Sequence, residues 1–397
     1  MRRLAANYIF PVIAPPIRNG ILEMDDTGKI IRVMDPGPDF REMRKLEFYN
    51  GILVPGFINA HSHLELACLK GRLPRNTGLT TFLRQVRKLR DDCDPAVQSE
   101  AMQRADRQMQ DNGIVAAGDV SNTGSSFGVK AESSVAYHTF IEMYGFTAGQ
   151  IHLQIQRGND LLRELRHDYG LPGHLTAHAS YSADNRIIRH IARENSQEDH
   201  PVFSLHYRES APLSEFMIRM AAKLSHHYRE KRLEYHHWKP LGLGQIVAEL
   251  GPVLDQTHVL LVHNLHVTQH TLHYAGRHIP RLTWVLCPRS NLFIHNRLPR
   301  LLPFIRQAQA VALGTDSLAS NEGLSILEEM KTIGQQHPEV PFGTLLEWAT
   351  INGARAIYPH SGLGRFEAGA APGVNLIRPF DFTRMCLTAD SRVFRLA

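Results

Sequence analysis

The sequence predicts an α/β protein: a (β/α)8 TIM-type barrel with a small β-sandwich layer built from both chain ends. Short apolar runs alternate with helical segments eight times along the central part of the 397-residue chain. Each run ends abruptly in polar or ionisable residues, whereas the chain ends contain strand-like runs without this alternation. Strands that alternate with helices and end in polar groups are typical of such a barrel, whose active sites lie at the carboxyl ends of the strands.

The eight apolar runs define the predicted barrel strands. The first run, 52–54, is interpreted as one strand with His61-Ser62-His63 after a kink at Pro55-Gly56. The other seven runs are 114–120, 137–144, 175–181, 202–209, 259–264, 282–291 and 310–316. Helical spacing of apolar residues predicts helices over 81–89, 96–112, 154–169, 184–194, 213–233, 268–278, 324–335 and 344–357. A doubly wound open sheet is the structural alternative, but it usually carries a Gly-rich phosphate loop after its first strand, and this sequence has none.

The two chain ends differ from the centre because they lack the alternation of strands and helices. We expect residues 1–50 and 362–397 to form one small β-rich domain beside a barrel domain of residues 51–361. The strand-like runs that support this division are 8–13, 20–24, 29–34 and 373–377.

Composition narrows the class of protein. No stretch approaches 18 consecutive apolar residues, which predicts no transmembrane helix, and residues 8–13 suit a strand better than a signal core, so we expect a cytoplasmic protein. The four cysteines include no Cys-x-x-Cys pair, which argues against a disulfide framework or a thiolate zinc site. The net charge of +5 is mild, and the basic run 223–239 is interpreted as the continuation of an amphipathic helix. The expected partner is therefore a small molecule, with neither nucleic acid nor membrane, and a homo-oligomer is left open.

His61 and His63 are the strongest candidates for chemistry, because residues two apart on an extended chain point the same way. Alone they are weak evidence in a chain with 23 histidines. A barrel would bring His206, from the fifth strand, and Asp316, from the eighth, to the same face. Three imidazoles and one carboxylate suit a divalent cation with an open position for water. Asp316 has an alternative interpretation as a helix N-cap.

Three further residues are candidates for proton transfer or substrate contact at the same face. Glu209 follows His206 by three residues and suits a proton shuttle, with a surface ion pair to Arg208 as the alternative. His263 ends an apolar strand, where it would polarise the attacked group or donate to a backbone carbonyl. His178 is a substrate contact or a core histidine. The fourth strand offers no lysine to bridge two metals, which favours a single ion.

Five ordered motifs resemble those of the amidohydrolase superfamily, in its branch of metal-dependent deaminases and chlorohydrolases. That branch includes cytosine, guanine, S-adenosylhomocysteine and aminodeoxyfutalosine deaminases. The motifs span 55–63, 206–209, 262–264, 287–291 and 314–317. The resemblance implies one divalent metal ion, zinc with iron as the alternative, held by His61, His63, His206 and Asp316. It also implies that Glu209, His263 and Asp316 are catalytic.

The activity that the resemblance implies is hydrolytic deamination of an aminated heterocycle, similar to a purine nucleoside such as aminodeoxyfutalosine, with release of ammonia. The alternatives are a hydrolytic dechlorinase, a cyclic amide hydrolase or a non-catalytic binding barrel. His178, Ser290 and Asn291 fall where family members contact substrate, and Glu65 either contacts the ligand or caps a loop. We expect the segment 210–244, with Trp238, to cover the pocket.

Overall fold

The computed structural model describes residues 1–37, 45–145, 147–210, 241–307 and 309–397. The predicted helix over 213–233, the basic run 223–239 and Trp238 therefore lie outside the described residues. The same holds for the predicted cover 210–244, except for its ends at 210 and 241–244.

Strands from both chain ends form one sheet, as predicted. Within the described ranges this sheet has seven strands in the order β15-β14-β5-β1-β3-β4, with β2 paired to β1. Its outer strand pairs are antiparallel, while β1 and β5 run parallel. The strands are β1 (Arg2–Ile9), β2 (Ile17–Arg18), β3 (Ile21–Met24), β4 (Ile30–Met34), β5 (Leu46–Pro55), β14 (Val374–Asp381) and β15 (Cys386–Arg395).

The central part of the chain forms the predicted barrel. In the described residues, two parallel four-stranded ladders follow chain order, β6 to β9 and β10 to β13. The strands are β6 (Phe57–Ser62), β7 (Ile114–Ser121), β8 (Ala136–Met143), β9 (Gly173–Ala177), β10 (Val202–Tyr207), β11 (His258–His263), β12 (Leu282–Leu286) and β13 (Val311–Leu313).

Two seams join the ladders into a closed barrel through the main chain. At one seam His206 N donates to His178 O at 2.9 Å. At the other, Thr315 N and Asp316 N both donate to His61 O at 3.0 Å. Isolated parallel bridges pair Ala179 with His206, and Ser62 with Asp316. Residues predicted to carry chemistry therefore also close the barrel.

Helices cover the outside of the barrel and follow the predicted alternation. Most begin and end within a few residues of the predicted bounds, and the predicted helix over 344–357 divides in two at Thr350. The described helices are α1 (Leu79–Asp91), α2 (Pro95–Asp111), α3 (Phe127–Glu132), α4 (Ala148–His167), α5 (Asn185–Asn195), α6 (Leu243–Leu250), α7 (Gln269–His278), α8 (Pro288–His295), α9 (Leu302–Arg306), α10 (Ile326–Gln336), α11 (Phe342–Ala349) and α12 (Ile351–Ile357).

The structure corrects one strand assignment. Residues 52–54 belong to β5 of the terminal sheet, where Ile52–Val54 pair with β14, and the barrel begins only at Phe57. Gly56 lies between the two sheets. A side chain would not fit at this position, because a Cβ there would lie 2.3 Å from Val115 Cγ1 and 2.6 Å from Pro372 O. The apolar residues on either side of Gly56 are thus buried in two different sheets, which a sequence pattern does not distinguish.

A second assignment also changes, at the end of the seventh predicted strand. The run 282–291 contains strand β12 only as far as Leu286, and α8 begins at Pro288. Proline is favoured in the first turn of a helix, where its missing N–H has no intrahelical partner to lose. Ser290 and Asn291 therefore stand in the first turn of a helix, beyond the end of the strand.

A buried ion pair supports the His61-Ser62-His63 segment from below. Asp119, in β7, accepts hydrogen bonds from Ser62 Oγ at 2.7 Å and from Leu64 N at 2.8 Å. Its other oxygen lies 2.8 Å from Lys130 Nζ, and both side chains are fully buried. Asp119 therefore fixes the segment, because it binds the side chain of Ser62, between the two histidines, and the main chain of Leu64, which follows them.

Every helix within the described ranges is either too short or too polar to span a bilayer.

We expect Lys130→Met to lower the free energy of unfolding by about 3–5 kcal/mol, because it leaves the Asp119 carboxylate buried without its cation. Urea unfolding monitored by circular dichroism measures this change. The control is Arg163→Met, which removes an exposed ion pair with Asp160 and should cost less than about 1 kcal/mol. Equal losses in the two variants would contradict the assigned importance of the buried pair.

Candidate metal centre and active site

The four residues predicted to hold a metal meet at the carboxyl ends of the barrel strands. His63 Nε2 lies 3.1 Å from His61 Nε2 and 3.3 Å from His206 Nε2. His63 Nε2 also lies 3.7 Å from Asp316 Oδ1. One potential ligand atom each of His61, His63 and Asp316 lies within 4.8 Å of the others. The same is true of His61, His206 and His263.

The surroundings orient His206 towards the centre. Its Nδ1 donates to His178 O at 2.8 Å, so its Nε2 carries a lone pair that points at His63. The neighbouring His61 ring is fully buried, and its Nδ1 has no hydrogen-bond partner among the described residues. A cluster of imidazole nitrogens that face one another is unfavourable unless a proton or a cation lies between them.

Burial keeps the first two histidines neutral. It lowers the pKa of His61 well below the usual histidine range, and the other imidazoles lower it further. Burial also lowers the pKa of His63, although Asp316 opposes this shift. Burial also lowers the pKa of His206, but the nearby carboxylates of Glu209, Glu142 and Asp316 raise it by more, so the net shift is upward. The site thus combines imidazole nitrogens that can act as metal ligands with nearby carboxylates that favour positive charge. This combination fits a divalent cation such as zinc.

Asp316 is held by hydroxyl and amide donors. Ser290 Oγ and Ser320 Oγ donate to Oδ2 at 2.6 and 2.9 Å, and Ser317 N donates to Oδ1 at 2.8 Å. Burial opposes ionisation, but the neighbouring imidazoles and the Ser290 hydrogen bond lower the pKa of Asp316 below its usual value. Its backbone is in the left-handed region, with φ of +56°. Such strain is concentrated at functional sites.

Glu209 faces His263 across the same space. Its Oε2 lies 3.5 Å from His263 Nε2, and its Oε1 accepts a short hydrogen bond from the Tyr181 hydroxyl. Burial raises the pKa of Glu209 above the usual glutamate range. Asn291 Oδ1 lies 3.3 Å from His263 Nδ1, which fixes this ring with Nε2 towards Glu209. Burial lowers the pKa of His263 to about 3, so the imidazole is neutral.

The four predicted substrate contacts lie in different surroundings. The His178 ring stacks on His206 with centroids 4.8 Å apart, so it borders the histidine cluster. Ser290 and Asn291 contact Asp316 and His263, as described above. Glu65 accepts hydrogen bonds from Asn122 N, Thr123 N and Thr123 Oγ1 at 2.8–3.2 Å, which are the contacts of a loop cap. Roles in substrate binding stay predictions for all four.

Sequence reasoning missed several side chains that shape this site. Tyr181 binds Glu209, Ser320 binds Asp316, and Glu142 lies beside His178 and His206. No spacing rule identifies them, because each becomes relevant only through a contact made in the folded barrel. The polar ends of the predicted strands were the one available signal, since Glu142 and Tyr181 both occur there.

A family model described as the amidohydrolase family matches residues 52–385. A curated relative is the 5-methylthioadenosine/S-adenosylhomocysteine deaminase of Halalkalibacterium halodurans, 26% identical over 394 residues, covering 92% of this chain and 82% of that protein. The crystal structure of Helicobacter pylori aminofutalosine deaminase in complex with methylthio-coformycin aligns with a TM-score of 0.77 at 21% identity. It covers 97% of this chain and 94% of that one. The zinc complex of atrazine chlorohydrolase from Arthrobacter aurescens aligns with a TM-score of 0.73 at 17% identity, covering 98% and 89%.

We expect Ser290→Ala to weaken zinc binding by roughly 10- to 100-fold, because it removes a donor that orients the Asp316 carboxylate. Competition with a fluorescent chelator measures the affinity. Ser361→Ala, at a serine outside the site, is the control. If Ser290 instead only contacts substrate, zinc affinity will be unchanged and KM will rise, which would contradict this prediction.

We expect Tyr181→Phe to reduce turnover by roughly 10- to 100-fold while the bound metal remains. The Tyr181 hydroxyl would stabilise the carboxylate that Glu209 becomes when it gives up a proton, and a hydrogen bond to a charged group contributes about 1.5–3 kcal/mol. Steady-state kinetics and metal analysis of the same preparation measure the two quantities. Tyr169→Phe, on the surface, is the matched control. Unchanged kcat in Tyr181→Phe would show that Glu209 does not need this hydrogen bond.

Proposed function

This chain belongs to the amidohydrolase family, and we propose that it is a deaminase which acts on an aminated heterocycle similar to a purine nucleoside and releases ammonia. One observation carries the proposal. A buried carboxyl group with a raised pKa, Glu209, faces the same space as the cluster formed by His61, His63, His206 and Asp316. Deamination needs both an activated water and a proton for the ring nitrogen next to the attacked carbon.

We propose that His61, His63, His206 and Asp316 hold one divalent cation, most simply zinc. The donor set of three imidazoles and one carboxylate supports this choice over magnesium or calcium, which prefer oxygen ligands. When bound, the cation supplies a water activated for attack near neutral pH. Between them, the two seams of the barrel keep His61, His206 and Asp316 in place through main-chain hydrogen bonds.

Glu209 supplies the proton in this mechanism. Its raised pKa favours a protonated carboxyl group, and Oε1 is already occupied by the Tyr181 hydroxyl. When the carboxyl group is protonated, its proton therefore lies on Oε2, from which it passes to the ring nitrogen of the substrate. His263 Nε2 lies 3.5 Å from that oxygen and, being neutral, accepts a hydrogen bond from the group under attack. Overall, one water is consumed and one ammonia is released for each amino group replaced by oxygen.

The names of the relatives support a nucleoside as the substrate. One is a 5-methylthioadenosine/S-adenosylhomocysteine deaminase, and the aminofutalosine deaminase structure holds methylthio-coformycin. His178, at the edge of the histidine cluster, is the substrate contact that its position supports best. Dechlorination is the second candidate, because the chlorohydrolase of Arthrobacter aurescens has the same fold.

A substrate screen tests the proposal directly. The zinc-loaded enzyme is incubated with adenosine, 5-methylthioadenosine, S-adenosylhomocysteine, aminodeoxyfutalosine, guanine, cytosine and a chlorotriazine, and ammonia and chloride are measured. We expect ammonia from at least one nucleoside, loss of activity with a chelator and recovery with added zinc. Chloride from the triazine without ammonia from any amine would contradict the proposal. A protein without stoichiometric metal would instead indicate a binding barrel.

We expect Glu209→Gln to retain the metal but to reduce kcat by about 10²–10⁴-fold, because proton transfer by a positioned group contributes an acceleration of that size. Glu198→Gln, a partly exposed glutamate paired with Arg166, is the matched control and should retain wild-type kinetics. Full activity of Glu209→Gln would rule out the assigned proton donor.

A further inference from the structure

Glu142 is a buried carboxylate that the mechanism above does not use. It lies near the end of β8, the third barrel strand, and is 7% exposed. Its Oε2 accepts a hydrogen bond from Asn122 Nδ2 at 2.8 Å, whereas its Oε1 has no hydrogen-bond partner among the described residues. A buried acceptor without a donor costs about 1–3 kcal/mol, and more when it is charged. Such a group in a folded protein calls for an explanation.

The neighbouring rings do not provide the missing donor. His206 Nδ1 lies 3.8 Å from Glu142 Oε1, but its proton is donated to His178 O at 2.8 Å. His178 Nδ1 is paired with Ser182 Oγ at 2.8 Å. The free oxygen therefore lies beside the metal-ligating face of the barrel, next to two rings whose Nδ1 atoms are already used.

A second cation is not the explanation that these contacts favour. Potential ligand atoms of Glu142, His178 and His206 lie within 4.8 Å of one another. However, His206 would have to serve two cations, with Nε2 facing the first centre and Nδ1 already protonated towards a carbonyl. Ligation through Nδ1 would require loss of that proton and of its hydrogen bond to His178 O.

We propose that Glu142 is a specificity-determining residue, whose free oxygen accepts a hydrogen bond from a donor on the substrate next to His178. The inference rests on the proposed function, and it adds that the substrate presents a hydroxyl or N–H group at this point. It also predicts that substrates with an anionic group in the same position are rejected, because two negative charges would then meet in a buried site.

The two sources of such a donor in a nucleoside are a ribose hydroxyl and an N–H group of the base. Both are hydrogen-bond donors without negative charge, so both fit the same oxygen. They differ in what happens when a hydroxyl is removed: the 2′-deoxy or 3′-deoxy analogue loses the contact only if the ribose supplies it.

Glu142→Gln tests the inference because Asn122 determines how the new amide is oriented. The Asn122 amide donates to Oε2, so the glutamine oxygen will take that place and its NH2 group will replace the free carboxylate oxygen. The variant thus presents a donor where the native residue presents an acceptor. We expect kcat/KM for the best nucleoside substrate to fall roughly 10- to 100-fold, with metal content unchanged.

Deoxy analogues identify the source of the donor. If a ribose hydroxyl supplies it, one deoxy analogue will be a poorer substrate of the wild-type enzyme and will be affected little by Glu142→Gln. If the base supplies it, the variant will lose the same factor with the nucleoside and both analogues. Unchanged kcat/KM for every substrate, or loss of metal from the variant, would overturn the inference, the latter because Glu142 would then be a positioning residue for His206.

Two controls separate this inference from the proposed function. Glu23→Gln changes a buried carboxylate of the terminal sheet, paired with Arg3 and Arg32, and should leave kcat/KM unchanged.

Calorimetric binding of coformycin and 2′-deoxycoformycin to the wild type and to Glu142→Gln gives a readout that needs no turnover. If the glutamine variant does not fold, Glu142→Asp retains the charge and takes its place. Ammonia production with identical substrate preferences in Glu142→Gln overturns this inference alone. Absence of both turnover and coformycin binding in the wild type overturns the proposed function as well.

Discussion

The main-chain hydrogen bonds at the two barrel seams are the constraint on which the rest of the site depends. At one seam His61 O accepts from Thr315 N and Asp316 N, and at the other His206 N donates to His178 O. Each seam is an isolated bridge between the two ladders. Together the two bridges bring imidazoles and a carboxylate that are far apart in the sequence to one point. Closing the barrel and assembling the site are therefore the same event.

The seams also control the protonation of the cluster. Because His206 Nδ1 is committed to a carbonyl across one seam, its Nε2 can only accept a proton or bind a cation. Asp316 leaves the other seam with a left-handed backbone, which turns its carboxylate towards His63 and into reach of Ser290. Main-chain geometry thus fixes the positions of His206 and Asp316, and the tautomer of His206, before any cation binds.

The sequence was sufficient to predict the barrel and the residues that meet at its face, because the polar ends of the strands carry a clear pattern. It was not sufficient to assign 52–54, since apolar residues buried in adjacent sheets look alike. It predicted Ser290 as a substrate contact and left Glu65 open between ligand contact and loop cap, and both substrate roles stay predictions. It could not identify the hydrogen bonds that these side chains make in the fold, to Asp316 and to the loop at Thr123. These contacts join residues far apart in the chain, so their partners become visible only when the strands are assembled.

The carboxylates around the histidine cluster differ mainly in the hydrogen-bond donors that each receives, and this difference supports the separate roles proposed for them. Asp119 is paired with a buried lysine, and Asp316 accepts hydrogen bonds from two hydroxyls and an amide. In the part of the chain that the structure describes, the hydrogen bond that Glu209 accepts comes from the Tyr181 hydroxyl, and the pKa of Glu209 is raised, which suits the proposed proton carrier. Among the described residues, no donor reaches the second oxygen of Glu142. Recognition by such an unsatisfied acceptor discriminates strongly against molecules that lack the matching donor.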